Sequence, residues 1–275
     1  MVTGAAAGIG RAIALALARE GTNLCLLDVD AARLATVAEE VQTFGVEVLT
    51  TVCDLANHSA VGASLELLRN KWDRLDILIN NAGLAFFGPT HTMSAEQLDR
   101  LMAVNLTAPL QLIRELLPSL LAQEESHIVN VCSILGLVTM KRTAGYQASK
   151  FGLVGFSGAL RAEYGHAGLG VTALCPGFVR TAMIENLPGM VRPVVPAWAF
   201  TSAERVAART ITAIRRNQGL VVIGPSARVF WWLMRLSPPL VGWFNRERRR
   251  RGRKTCVGAK LPLQGPATTE QVPGD

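Results

Sequence analysis

The 275-residue sequence predicts an α/β fold: a doubly wound parallel sheet in a single domain. Two observations carry this. Short, almost wholly apolar runs alternate with amphipathic stretches of helical period, as in strands covered by helices on both faces. A glycine-rich turn, Thr3-Gly4-Ala5-Ala6-Ala7-Gly8-Ile9-Gly10, also stands where a first strand would pass into a first helix. Hydrophobic residues at 49% and charged residues at 18% fit a globular chain of this size.

The elements follow in order. Ile9–Glu20 is helical and stops at Gly21, a natural C′ residue. Asn23–Leu27 is a strand, apolar after its first residue, and Ala31–Phe44 a helix ending at Gly45. Val46–Cys53 is a strand, Ser59–Trp72 a helix, and Leu75–Ile79 a strand running into Asn80-Asn81-Ala82-Gly83. A long helical region spans Ser94–Gln123, with Pro109 and Pro118 as expected breaks or starts. His127–Cys132 is a strand, Tyr146–Tyr164 a helix, Val171–Cys175 a strand, Ala203–Arg216 a helix and Leu220–Ile223 a last strand.

The net charge of +7 is uneven. Arg246, Arg248–Arg251, Arg253 and Lys254 place seven cations in nine residues, against Glu247 alone. Taking that segment from the 28 basic and 21 acidic residues of the chain leaves 21 and 20, so the body is nearly neutral and does not suit nucleic acid. Cys25, Cys53, Cys132, Cys175 and Cys256 lack metal-ligand spacing, and no metal site is expected. Four of the five sit in apolar runs, which suits buried free thiols in a reducing compartment such as the cytoplasm. The N-terminus has no signal-peptide pattern, and no uncharged apolar run reaches the length of about 18 residues needed to span a bilayer.

The turn after the first strand exposes backbone N–H groups at a helix N-terminus, an anion site. Gly4, Gly8 and Gly10 would let a pyrophosphate approach without meeting a Cβ. Asp28 ends the next strand, 18 residues after Gly10. A carboxylate there can accept from ribose hydroxyls and repels a 2′-phosphate, favouring NAD over NADP. The plain alternative is a helix N-cap, a role that Asp30 can fill instead, while Arg33 belongs to a solvated helix face. Asp54, ending the third strand, is read as an adenine contact or as a turn residue.

The chemistry-bearing set is Ser133 with Tyr146-Gln147-Ala148-Ser149-Lys150. Tyr146 and Lys150 share a helix face. An ammonium beside a phenol, whose ordinary pKa is about 10, is expected to lower that pKa and make the pair a general acid/base. Ser133 ends a strand at the carboxyl edge of the sheet, where such folds bind ligands, and its hydroxyl can hold a carbonyl or alcohol oxygen. In isolation Y-x-x-x-K marks only a helix face.

Taken together, the sequence resembles the short-chain dehydrogenase/reductase family over about residues 1–224. The resemblance rests on TGAAAGIG, the strand-end Asp28, Cys53-Asp54-Leu55, Asn80-Asn81-Ala82-Gly83, Asn105 in VNLTA, Ser133, Tyr146 with Lys150 thirteen to seventeen residues on, and Pro176-Gly177. It implies a Rossmann-like sheet and hydride transfer to or from a nicotinamide. It further implies that Tyr146 moves the proton, Ser133 orients the substrate oxygen, Lys150 binds the nicotinamide ribose, and Asn105 holds a water linking Lys150 to solvent. Read from its position alone, Asn105 is a helix-kink residue. The cofactor would contact Gly4, Gly8, Ile9, Gly10, Asp28, Asp54, Leu55, Asn81, Ala82, Gly83, Tyr146, Lys150, Pro176, Gly177, Val179 and Thr181, the last otherwise a helix N-cap. The resemblance also implies a homo-oligomer paired through helices.

Family substrate walls fall on residues 84–93, 134–145 and 178–200, rich in Phe, Leu, Met, Val and Trp. They suit a lipophilic alcohol or ketone of steroid, retinoid or acyl type, and hence a part in lipid metabolism, although loop apolars also pack on cores. His91 reads as a loop histidine. Residues 1–224 form the catalytic unit, 225–254 an apolar and aromatic then basic segment, and 255–275 an expected disordered tail. Residues 228–245, RVFWWLMRLSPPLVGWFN, followed by the arginine run, read either as a peripheral membrane contact or as a helix closing the cleft or pairing subunits. Arg235 and Pro238-Pro239 argue against a span.

The leading expectation is an NAD-dependent oxidoreductase; the competing one is a non-catalytic dinucleotide-binding scaffold or redox sensor, which has no need of the Asn105, Ser133, Tyr146 and Lys150 set. Family members carry more apolar residues ahead of the TG pair, so the first strand is largely truncated, whether by shortening or by a start placed late. Ladder groups of both neighbouring strands are then expected to go unpaired. A version extended at the N-terminus is expected to melt higher, and equal melting temperatures would refute this.

Overall fold

The computed structural model describes residues 1–180 and 200–236. The strands are β1 (Val2–Thr3), β2 (Leu24–Asp28), β3 (Val48–Val52), β4 (Ile77–Asn80), β5 (Ser126–Val131), β6 (Leu169–Pro176), β7 (Phe178–Val179), β8 (Phe200–Thr201) and β9 (Leu220–Ile223). Seven form one sheet in the order β3-β2-β1-β4-β5-β6-β9, every pair parallel, while β7 and β8 make a separate parallel ribbon. The order reverses at β1, which puts a crevice at the carboxyl ends of β1 and β4.

The helices are α1 (Gly8–Arg19), α2 (Ala31–Gln42), α3 (His58–Lys71), α4 (Ala95–Met102), α5 (Ala108–Leu121), α6 (Ala144–Tyr164), α7 (Ala203–Arg215) and α8 (Pro225–Leu236). On one face of the sheet, Ile13 and Leu17 of α1, Leu34 and Val37 of α2 and Val206 of α7 pack over Leu26, Ile79 and Leu174. On the other, Leu65 of α3, Leu112 and Leu116 of α5 and Leu160 of α6 cover Leu27, Leu78 and Ile128. Burial on both faces explains why the strands read as continuous apolar runs.

The element boundaries lie close to those expected, with two differences. The long helical region breaks in a π-helical segment, Ala103–Thr107, not at a proline. Pro109 sits at the start of α5, and Pro118 lies inside that helix near its end. On the β4 side the expected unpaired ladder groups are not seen. The Met1 amino group donates to the Ile77 carbonyl at 2.8 Å, and the Ile79 N–H donates to the Met1 carbonyl at 2.9 Å. The chain's own first residue supplies those partners.

His127 sits buried between β5 and β6. The Thr172 hydroxyl donates to the Gln218 carbonyl at 2.6 Å, so its oxygen accepts from His127 Nε2–H at 2.8 Å and the ring is held as that tautomer. Gly170 leaves room for the ring: a Cβ there would fall 2.2 Å from Nδ1. Burial, with the nearby Arg161 cation, lowers the imidazole from 6.5 to about 4. The unfolded chain therefore takes up this proton first, so stability is full above 6.5 and is lost as pH falls toward about 4. That loss is on the order of 3 kcal/mol. His127→Gln is expected to reduce the fall in unfolding free energy across this range by a comparable amount in urea titrations. An unchanged pH profile would show that the ring does not titrate this way.

Candidate active site

The turn from β1 to α1 is built by glycines with distinct tasks. Gly4 (φ 64°) and Gly8 (φ 55°) hold left-handed backbone that a side chain would strain. Gly10 is needed for packing within the turn: a Cβ would fall 2.0 Å from the Gly4 carbonyl oxygen. This differs from the expected clearance for a ligand, because Gly10 faces its own turn. The turn is pinned to β4 from below. Asn81 Nδ2 donates to the Thr3 and Gly4 carbonyls, each at 3.0 Å, and Thr3 Oγ1 accepts from the N–H groups of Asn81 (3.0 Å) and Ala82 (3.1 Å).

Helices α2, α3, α4 and α7 are capped by the side chains of Asp30, Asn57, Ser94 and Ser202, whereas α1 starts at Ala7 with no side-chain cap. Its first N–H groups and the positive end of its dipole stay available to an anion. Asp28 lies beside this end. Its carboxylate accepts from the Ala6 N–H at 2.9 Å and the Asp30 N–H at 3.1 Å. Asp30, not Asp28, is the cap of α2, so the plain alternative for Asp28 does not apply. Asp54 accepts from Ala56 N–H at 3.0 Å and from Arg100 at 2.9 Å, so its carboxylate is engaged in a turn and an ion pair at the cavity wall. Arg33 pairs with Asp30 on the surface.

At the other end, Ser133 follows β5, and its Oγ accepts from the Leu135 N–H at 3.1 Å. Tyr146 lies in the first turn of α6 and Lys150 one turn later. The Phe87 ring stacks on Tyr146 with centroids 6.3 Å apart. Lys150 Nζ donates to the Val131 carbonyl at 2.9 Å and stands 5.9 Å from the Tyr146 ring centre. Asn105, in the π segment, is fully buried. Its Oδ1 accepts from Leu84 N–H at 2.7 Å, and its Nδ2 donates to the Leu84 carbonyl at 2.8 Å and to Ser149 Oγ at 3.1 Å.

The expected acidification of Tyr146 by Lys150 is not present in this structure. Burial of the phenol oxygen pushes its pKa up to about 12, with the Ser133 hydroxyl bond acting the other way. Burial lowers Lys150 as well, and the ammonium is directed at the Val131 carbonyl. Desolvation is the largest cause for both groups.

One cavity of about 340 Å³ joins the two ends. Gly4, Gly8, Ile9, Asp28, Asp54 and Leu55 line it at one end, and Asn81, Ala82 and Gly83 its middle. Ser133, Tyr146, Lys150, Pro176, Gly177 and Val179 line the other end. Asn105 stands behind the wall, 3.3 Å from where a Gly83 Cβ would be. Thr181 lies outside the described residues, as do Cys256, the basic run and most of the third expected wall segment. Cys25, Cys53, Cys132 and Cys175 are buried and free, His91 is exposed, and no metal-ligand cluster occurs among the described residues.

Sequence reasoning missed several members. Phe87 was one of many wall apolars with nothing to single it out. Gln147, inside the quoted motif, is buried and clasps the preceding loop, with Oε1 accepting from the Met140 N–H at 3.1 Å and Nε2 donating to the Met140 carbonyl and Thr143 Oγ1. The two polar residues Gln147 and Ser149, flanking Ala148 in the motif and both buried, were the available signal.

The residues present fit a dinucleotide: an uncapped helix start for a pyrophosphate, a carboxylate within the same cavity for a ribose, and a phenol and an amine at the far end. A family model described as short chain dehydrogenase matches residues 1–191. Oxidoreductase UcpA of Escherichia coli is 33% identical over 202 residues, covering 73% of this chain and 76% of that one. Three solved structures share the fold. A Burkholderia phymatum short-chain dehydrogenase/reductase in complex with NAD has TM-score 0.78 and 27% identity, covering 87% of this chain and 93% of that one. A Sphingobium yanoikuyae short-chain dehydrogenase in complex with NADPH has TM-score 0.75 and 27% identity, covering 92% and 97%. The bulky-bulky ketone specific alcohol dehydrogenase of Comamonas testosteroni has TM-score 0.72 and 25% identity, covering 92% and 95%. Motif order, sheet topology and these similarities agree: the chain belongs to the short-chain dehydrogenase/reductase family of nicotinamide-dependent oxidoreductases.

Proposed function

We propose that this protein is an NAD-dependent dehydrogenase or reductase acting on a lipophilic secondary alcohol or ketone, with Tyr146 as the general acid/base. The observation that carries this reading is the single cavity that runs from the uncapped start of α1 to Ser133, Tyr146 and Lys150. The bound dinucleotide supplies or accepts the hydride. The chain's own residues do the rest. In the reducing direction the phenol of Tyr146 gives its proton to the carbonyl oxygen, while the Ser133 hydroxyl donates a second hydrogen bond to that oxygen. A phenol held protonated by burial is the form that this direction needs. Lys150 lies beside the tyrosine as a second proton-holding group, and Asn105 fixes Gly83 and Leu84 against α6 so that the pair keeps its place.

The substrate class rests on the wall. Leu84, Phe87, Ile134, Leu135 and Phe178 line the catalytic end, where Lys150 is the only charged side chain among the described lining residues. An apolar chamber with one serine and one tyrosine suits a large apolar ketone whose single oxygen must be placed. The NAD preference rests on Asp28, whose charge in the cavity opposes a 2′-phosphate. Relatives of this fold are solved with either dinucleotide, so the carboxylate of this chain is what supports the choice.

Tyr146→Phe is expected to lower turnover about a hundredfold or more while calorimetry finds NAD still bound. Turnover equal to the parent protein would remove the mechanism. Asp28→Asn is expected to shift the ratio of kcat/KM with NAD to that with NADP by about tenfold toward NADP, and an unmoved ratio would remove the NAD assignment. Extending a ketone series by apolar groups should lower KM; a preference for short polar ketones would contradict the apolar-wall reading.

A further inference from the structure

Helix α8 presents two apolar faces. Ala227, Phe230, Trp231 and Met234 face inward and pack in the cluster that contains Phe87 and Tyr146. Val229, Trp232, Leu233 and Leu236 face outward, with 60%, 52%, 44% and 77% of their surface exposed. Their positions at i, i+3, i+4 and i+7 make one continuous stripe along the helix. A water-facing helix side ordinarily carries polar residues, and a contiguous exposed apolar patch marks an interaction surface. The helix carries no acidic residue; its charges are Arg228 and Arg235. In sequence it is followed by Leu240, Val241, Trp243 and Phe244, and then by the seven cations of residues 246–254.

We infer that the outer stripe of α8 rests on the surface of a membrane containing anionic lipid. Its apolar residues would enter the headgroup boundary, and Arg228 and Arg235 would meet lipid phosphates and carboxylates. Charge selects this occupant over a second copy of the chain. Pairing two such helices would bring their arginines together, whereas an anionic surface neutralises them. No helix among the described residues is long and apolar enough to cross a bilayer, so the contact lies along the surface. The inner face of the same helix packs against the hydrophobic cluster that Tyr146 also joins, so the lipid surface would lie on the catalytic side of the molecule. Resting on the lipophilic-substrate reading above, this places the cavity where a bilayer-dissolved ketone is concentrated.

The test is co-sedimentation of the full-length protein with phosphatidylcholine vesicles, with and without phosphatidylserine. The expected result is binding to phosphatidylserine vesicles that weakens with salt, and a partition coefficient lowered about tenfold or more by Trp232→Ser with Leu233→Ser. Val229→Ser with Leu236→Ser should act likewise, and each variant's melting temperature checks that it is folded. Three results would overturn the proposal: a parent protein that stays in solution with both vesicle types, stripe variants that pellet like the parent because the basic run suffices, or variants that change a dimer into a monomer without changing pelleting. Vesicle binding that depends on the stripe, found in a protein that reduces no ketone, would uphold the surface and remove the substrate reading alone.

Discussion

The side chain of Asn105 joins the two halves of the site. It takes both hydrogen bonds that Leu84 offers and gives a third to Ser149, with no exposure to solvent. The loop after β4, which forms the middle of the cavity, is thereby fastened to the helix that carries Tyr146 and Lys150. An amide supplies one acceptor and two donors from a single planar group, and all are used here. Ser149 continues the chain by donating to the Tyr146 carbonyl at 2.7 Å. A buried polar network of this kind specifies one geometry, because each lost bond would strand a desolvated partner.

The catalytic end is a contest between desolvation and charge. Phenolate with ammonium, and phenol with amine, have the same total charge, so Coulomb attraction favours the first and burial the second. At about 6 Å and an effective dielectric of 20, the attraction is of order 3 kcal/mol. The Lys150 ammonium stands 5.9 Å from the ring centre and is held by the Val131 carbonyl. The phenol consequently stays protonated.

The sheet was legible because its strands are buried on both faces: Leu24–Leu27 and Leu220–Ile223 read as strands from hydrophobicity alone. Motif spacing likewise located Ser133, Tyr146 and Lys150 in one cavity. Other features leave no such trace. The β7–β8 ribbon pairs two residues with two others more than twenty positions away, with no periodicity to detect. The break before α5 comes from a widened turn that holds Asn105, read from its position as a helix-kink residue, rather than from Pro109 or Pro118; that the kink is π-helical is what AVNLT does not disclose. The direction of the Tyr146 shift depends on how deep two groups lie, which spacing along a helix does not report.

The widened turn at Ala103–Thr107 also constrains how this chain can change in length. A π segment is an α-helix holding an additional residue. Deleting one residue there would rewind it to regular helix, which keeps α4 and α5 in phase but re-aims the residues of the segment itself. Asn105, fully buried within it, could then no longer hold both Leu84 and Ser149. Natural variation in chain length across this region should therefore gather in the loops flanking residues 95–121, leaving the helical stretch itself at constant size.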